Sequence, residues 1–89
     1  MNHLSNVVIP LGALLIGSRG KVTELSGDQH DLETSDRIDR LREIGFSEGL
    51  DVELLHQSPF GKDPIAVRIG AMTVALRRSE ANLIKVQVI

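Results

Sequence analysis

His3, His30 and His56, together with an acidic stretch containing Asp28, Asp31 and Glu33, are the side chains best suited to holding a metal ion. Imidazole nitrogens and carboxylate oxygens capture a divalent cation when one helix or strand brings several of them to a point. The spacings here offer no H-x-x-x-H on a helix and no H-x-H on a strand. His56 falls at a strand end and His3 in an N-terminal tail. Asp28, His30 and Asp31 share a loop that could hold a divalent cation weakly, but a polar loop of this composition is usually just a solvated connection, so no metal site and no cofactor is expected. Nucleophilic chemistry has less support still. There is no Cys, no G-x-S-x-G and no phosphate-cradling G-x-x-x-x-G-K-[ST]. A chain of 89 residues has too small a core to enclose a substrate pocket, so the expectation is a protein that is not an enzyme.

The remaining chemistry is that of contact. Arg37, Arg40 and Arg42 crowd one segment, Arg77, Arg78 and Glu80 another, and Phe60 is one of only two aromatic residues. Each admits a plain structural role. The helix arginines read as a solvated face or as interaction surface. Arg77 and Glu80 read as an i, i+3 pair with Arg78 in solvent, and Phe60 folds over the open end of a core or stands out as an apolar anchor. With 42% hydrophobic and 25% charged residues the chain has the composition of an ordinary globular domain, and a net charge of −2 exerts no pull towards nucleic acid or anionic lipid.

Patterning supplies the elements that hold these residues. The run VVIPLGALLIG at 7–17 is too short to span a membrane and is broken by Pro10 and Gly12. No Lys or Arg precedes it and no A-x-A site follows, which argues against an export signal. Residues 1–9 read as a flexible tail and 10–89 as one domain. Leu11, Leu14 and Leu15 make an apolar helical turn that covers one end of the core. KVTEL at 21–25 is the first strand, and 26–35 a loop. A helix is predicted over about 36–44, capped by Thr34 or Ser35, with Asp36 and Arg40 paired and Ile38, Leu41 and Ile44 as its apolar stripe. Gly45 closes it in a Schellman motif that brings Phe46 onto Leu41. Ser47-Glu48-Gly49 turns the chain into LDVELLHQ at 50–57.

SPFGKDP at 58–64 opens a loop whose prolines brace Gly61 and Phe60, and IAVRI (65–69) joins MTVAL (72–76) through Gly70-Ala71, the Gly-X form of a two-residue hairpin. The register Ile69 to Met72, Val67 to Val74 and Ile65 to Leu76 puts six apolar side chains on one face. A short turn near 78–82 leads into a last strand with Ile84, Val86 and Val88, which would pair with the first. Five short, one-sided strands predict a mainly β fold, a small SH3-like barrel with one inserted helix.

These features, in this order, resemble the small bacterial ferrous iron transport protein A family (FeoA). The resemblance is carried by Leu11, Leu14 and Gly17, by RLREIGFSEGLDV (40–52), by PFGKDPIAVRI (59–69) and by ALRRSEANLIKV (75–86). Glu48 stands where the family often has Pro, and Lys62 lengthens the loop. The resemblance implies a cytoplasmic, non-catalytic accessory of ferrous iron uptake. Its partner would be a membrane permease with a cytosolic GTPase domain (FeoB type), which would bring it to the inner face of the membrane. Phe60, Arg37, Arg40, Arg42, Arg77 and Arg78 are the expected contact residues, an exposed Arg being able to reach nucleotide as an arginine finger, while Gly45, Gly49, Gly70 and Glu80 are structural. Two alternatives remain: a stand-alone module like the C-terminal domain of iron-dependent repressors, and a nucleic-acid-binding barrel. The latter is disfavoured because two Phe and a net negative charge supply neither stacking platform nor basic groove. A weak homo-oligomer is left open.

Overall fold

The computed structural model describes residues 7–27 and 31–89. Six strands form one open antiparallel sheet in the order β1-β6-β2-β3-β4-β5, where β1 is Val8–Pro10, β2 Arg19–Leu25, β3 Asp51–Gln57, β4 Ile65–Ile69, β5 Met72–Leu76 and β6 Ile84–Val88. A 3-10 turn, Leu11–Ala13, follows β1, the helix α1 (Leu32–Ile44) joins β2 to β3, and a short helix α2 (Arg78–Ala81) joins β5 to β6. Register shifts between Val22 and Glu24 and between Leu54 and His56 bend the sheet, as bulges do. Its inner face carries Val22, Val52, Leu54, Val67, Ile84 and Val86 around Leu11 and Leu41.

The hairpin forms in the expected register, from Ile65 opposite Leu76 to Ile69 opposite Met72. Gly70 at φ 60° is the one residue of the turn with positive φ, as a two-residue loop opened by Gly requires. The closure of α1 is also as expected. The Phe46 amide donates to the Leu41 carbonyl at 3.0 Å and the Gly45 amide to that of Arg42 at 3.1 Å. Gly45 adopts φ 134°, and Leu41 and Phe46 are both buried, which together make the Schellman pattern. β6 pairs with β2 as anticipated.

Several expectations need correction. Among the described residues there are six strands, not five, because β1 adds itself to the outer side of β6. Val8 and Ile9, assigned to a tail by the sequence, belong to that strand, while residues 1–6 lie outside the described residues. The helix starts at Leu32, not near Asp36, and its cap is Asp31 in place of Thr34 or Ser35. The Asp31 carboxylate accepts from the Glu33 amide at 3.0 Å and from the Thr34 hydroxyl at 2.8 Å. An ionised carboxylate is the stronger acceptor for the free amides of a first turn. Those bonds, that of Thr34 foremost, hold the Asp31 carboxyl below its ordinary range. Asp36 and Arg40 make no ion pair among the described residues, whereas Glu33 and Arg37 do, at 2.7 Å. Leu15 does not share the core with Leu11 and Leu14, since the 3-10 turn ends before it and leaves it 76% exposed. Met72 is 45% exposed and Val74 half-buried, because β5 ends the sheet and has a neighbour on one side only.

Candidate interaction surface

Arg78 organises one end of the molecule. Its backbone amide donates to Asp63 Oδ1 at 2.7 Å, Nε to the Lys62 carbonyl at 2.8 Å and Nη2 to Gln57 Oε1 at 2.7 Å, while Nη1 donates to the Gly12 carbonyl. Four segments distant in sequence are thereby tied together: the 3-10 turn, the end of β3, the opening loop and the start of α2. The planar guanidinium suits this, because its five N–H donors diverge in a fixed fork. Arg78 is therefore not the solvated side chain considered from the sequence, since three of its five N–H donors are engaged by backbone and amide oxygens. Gly12 also packs against the Asn82 side chain, whose Oδ1 an added Cβ would meet.

The loop so anchored runs from Ser58 to Pro64. Its base is closed by the Ser58 amide donating to the Pro64 carbonyl at 3.0 Å, and its shoulder by the Phe60 amide donating to Ser58 Oγ at 3.2 Å. The peptide bond between Asp63 and Pro64 is cis, and Gly61 has φ 110°. Phe60 is 94% exposed. Folding back over the core, the plainer expectation, is thus excluded, and the two aromatics of the chain have opposite environments, Phe46 being buried. Beside the loop, an open groove of about 480 Å³ is lined by Leu14, Leu15, Ile16, Gln57, Lys62 and Arg78 with Gly12 and Ala13. Leu15 and Ile16 are exposed on its wall. The sequence did not single out these two as surface residues. The available signal is the length of the apolar run, which one helical turn cannot bury on a single face.

The helix arginines occupy a second surface. Arg37 and Arg40 line an open groove of about 490 Å³ with Glu33, Asp36, Arg77, Ser79 and Glu80, so the groove lies between α1 and the start of α2. The groove mixes both signs of charge. Arg77 and Glu80 are not joined as an ion pair. Instead the Glu80 carboxylate accepts from the Arg77 backbone amide at 3.1 Å, fastening the first turn of α2. Arg42 lies outside this groove and pairs with Glu48 through two bonds, Nη1 to Oε1 at 2.9 Å and Nη2 to Oε2 at 3.1 Å. Hydrogen bonding to Arg42 lowers the Glu48 carboxyl to about 2. Glu48 thus holds the turn by an ion pair to α1 where a Pro would have stiffened it from within. The turn itself is closed by the Leu50 amide donating to the Ser47 carbonyl at 3.2 Å, with Gly49 at φ 87°. The two surfaces share no lining residue and adjoin where Arg77 is followed by Arg78.

Of the candidate metal ligands, His3, Asp28 and His30 lie outside the described residues. Asp31 is committed to capping α1 and His56 is exposed near the end of β3. Among the described residues no group of three His, Cys, Asp or Glu side chains is placed to hold a metal ion, and no helix is long and apolar enough to cross a membrane.

Residues 9–88 match the FeoA domain. A FeoA-like protein from Clostridium acetobutylicum superposes with a TM-score of 0.78 at 27% identity, over 92% of this chain and 87% of that one. FeoA of Stenotrophomonas maltophilia complexed with zinc, described as a prokaryotic SH3 domain protein, is 30% identical over 85% of this chain and 86% of its own, with a TM-score of 0.73. A manganese-dependent transcriptional repressor shares the fold, with a TM-score of 0.76 at 24% identity, over 92% of this chain and 42% of the repressor. No curated protein matches the chain.

Proposed function

The chain belongs to the FeoA domain family, and from that membership we propose that it is a non-catalytic accessory of ferrous iron uptake, acting in the cytoplasm by contact with a ferrous iron permease that carries a GTPase domain. The observation that carries this reading is Phe60, 94% exposed on a loop held by Arg78. An exposed large aromatic on a braced loop costs little to order on binding and offers an anchor for a pocket on a partner. Leu15 and Ile16 extend the apolar area around the adjoining groove, and Lys62 adds a charged rim. Such a centre and rim are the usual make-up of a transient interface. The Arg37, Arg40 and Arg77 groove is the second contact, where complementary charges set orientation and association rate.

The test is co-purification with the full-length permease in detergent after chemical crosslinking at about 100 μM protein, which captures a weak contact. Wild-type protein should be retained, and Phe60→Ala lost while its folded content is unchanged. Retention of Phe60→Ala at the wild-type level would move the contact elsewhere. The likeness in fold to the manganese-dependent repressor favours one other reading, a regulatory module that holds a peptide segment. In that case the permease would not be retained at all.

A further inference from the structure

The two edges of the sheet are protected differently. β1 is three residues long and contains Pro10, whereas β5 has five residues, no Pro, no shift in its register with β4 and no charged side chain between Met72 and Leu76. Shortness, Pro, bulges and charge are the devices that close a strand edge to other chains. β1 uses two of them and β5 none.

The hairpin register settles which backbone groups face outwards. Ile69 and Met72 flank a two-residue turn and so exchange both of their amide–carbonyl bonds. Bonded pairs alternate with non-bonded pairs along an antiparallel ladder, so Met72, Val74 and Leu76 point their N–H and C=O groups at β4. Thr73 and Ala75 point theirs away, and among the described residues these groups have no other backbone partner. Both residues are exposed.

We propose that β5 pairs with β5 of a second copy of this chain, antiparallel about a two-fold axis through Val74. In this register Thr73 faces Ala75 of the second copy and Ala75 faces its Thr73, and each facing pair exchanges two amide–carbonyl bonds. Val74 meets its counterpart as a non-bonded pair, where side chains approach more closely, and the half-exposed Met72 faces Leu76 of the second copy. The ladder then stops. Its next position would need Arg77, whose amide already donates to Glu80 Oε1 and whose carbonyl accepts from the Glu80 and Ala81 amides. A second copy matches this edge in charge, its own β5 being equally neutral. An edge with no charge over five residues has nothing with which to choose a charged segment, and pairing with itself sets no like charges opposite one another. A contact this small lies below the size of a stable interface, so the dimer dissociates at about 0.1–1 mM.

Amide hydrogen exchange on the full chain, read at several protein concentrations, tests this directly. Between about 10 μM and about 1 mM, a range spanning that dissociation constant, exchange at Thr73 and Ala75 should slow several-fold. Met72, Val74 and Leu76 should stay protected at every concentration. Ala75→Pro removes an outward N–H without breaking the β4 ladder and should weaken association in sedimentation equilibrium about tenfold. Thr73→Pro reports on the same edge if that variant does not fold. Concentration-independent exchange at Thr73 and Ala75 would overturn the proposal, as would a dimer unaffected by either proline. Protection that appears only when the permease is added would give the edge to a different partner and overturn it equally.

Discussion

Arg78 donates through Nε to the Lys62 carbonyl at 2.8 Å, across sixteen positions of sequence, and its Nη1 reaches the Gly12 carbonyl on the other side. The exposed loop therefore has a fixed base although its tip makes no core contact. Loops usually acquire function at the expense of order. Here one half-buried cation supplies the order.

Removing that cation should be felt throughout this end of the molecule. Arg78→Ala is expected to lower stability by about 2 kcal/mol, the scale of losing several bonds to a charged donor and leaving acceptors unmatched. Arg78→Lys should recover only part of this, since a single ammonium cannot reproduce the fork. Urea midpoints of the two variants check the order. Equal midpoints for wild type and Arg78→Ala would show that the bonds contribute nothing net.

Gly45→Ala should destabilise by about 1 kcal/mol or more, because it forces a Cβ into a backbone at φ 134°. Packing does not decide the matter, since the added atom would sit 3.4 Å from Ile69 Cδ1, an ordinary contact. The sign of the change is diagnostic. Ala in place of Gly within a regular helix would instead stabilise.

Two valines that face each other across the hairpin should differ. Val67 is fully buried in β4 and Val74 half-buried in β5. Val67→Ala is expected to cost about 2 kcal/mol and Val74→Ala about 1 kcal/mol or less, since an edge site can relax into solvent. Chemical denaturation of both variants measures the difference, and a larger loss at Val74 would contradict the edge position of β5.

The pair between Arg42 and Glu48 imposes a pH dependence of definite sign. The Glu48 carboxyl is lowered in the folded chain from 4.5 to about 2, chiefly by hydrogen bonding to Arg42. The unfolded state thus takes up its proton first, and the stabilisation present above pH 4.5 fades as pH falls towards 2. Glu48→Gln should flatten the fall in urea midpoint over that window, and added salt should reduce the effect because both side chains are partly exposed. An unaltered slope in Glu48→Gln would assign the acid sensitivity to other carboxylates.

What the sequence discloses and what it hides divide by range. The hairpin register and the closure of α1 at Gly45 were legible because their signals lie within a few residues: a Gly-X turn between alternating apolar runs, and a Gly set between Leu41 and Phe46. The start of α1 was less so, since Asp31, Thr34 and Ser35 are all capping residues and only the bonds of Asp31 to Glu33 and Thr34 decide among them. β1 was missed because three residues ending in Pro carry no alternation to detect. The role of Arg78 left no local trace, as its acceptors stand on residues 12, 57, 62 and 63. For the candidate contact surface, Phe60 was legible as a residue but not its exposure, and Leu15 and Ile16 were concealed within a run that reads as core.

The contact itself is most directly measured by titrating full-length ferrous iron permease in detergent against wild-type protein and Phe60→Ala, with the urea midpoint of each recorded in parallel. Wild-type binding should be weak, with Kd on the order of 10–100 μM, as suits a small apolar centre with a charged rim. Phe60→Ala should raise Kd about tenfold or more, as loss of a central aromatic anchor does, while its midpoint stays where it was. An unchanged Kd for Phe60→Ala, with a midpoint equal to wild type, would contradict the assignment of this loop as the contact surface.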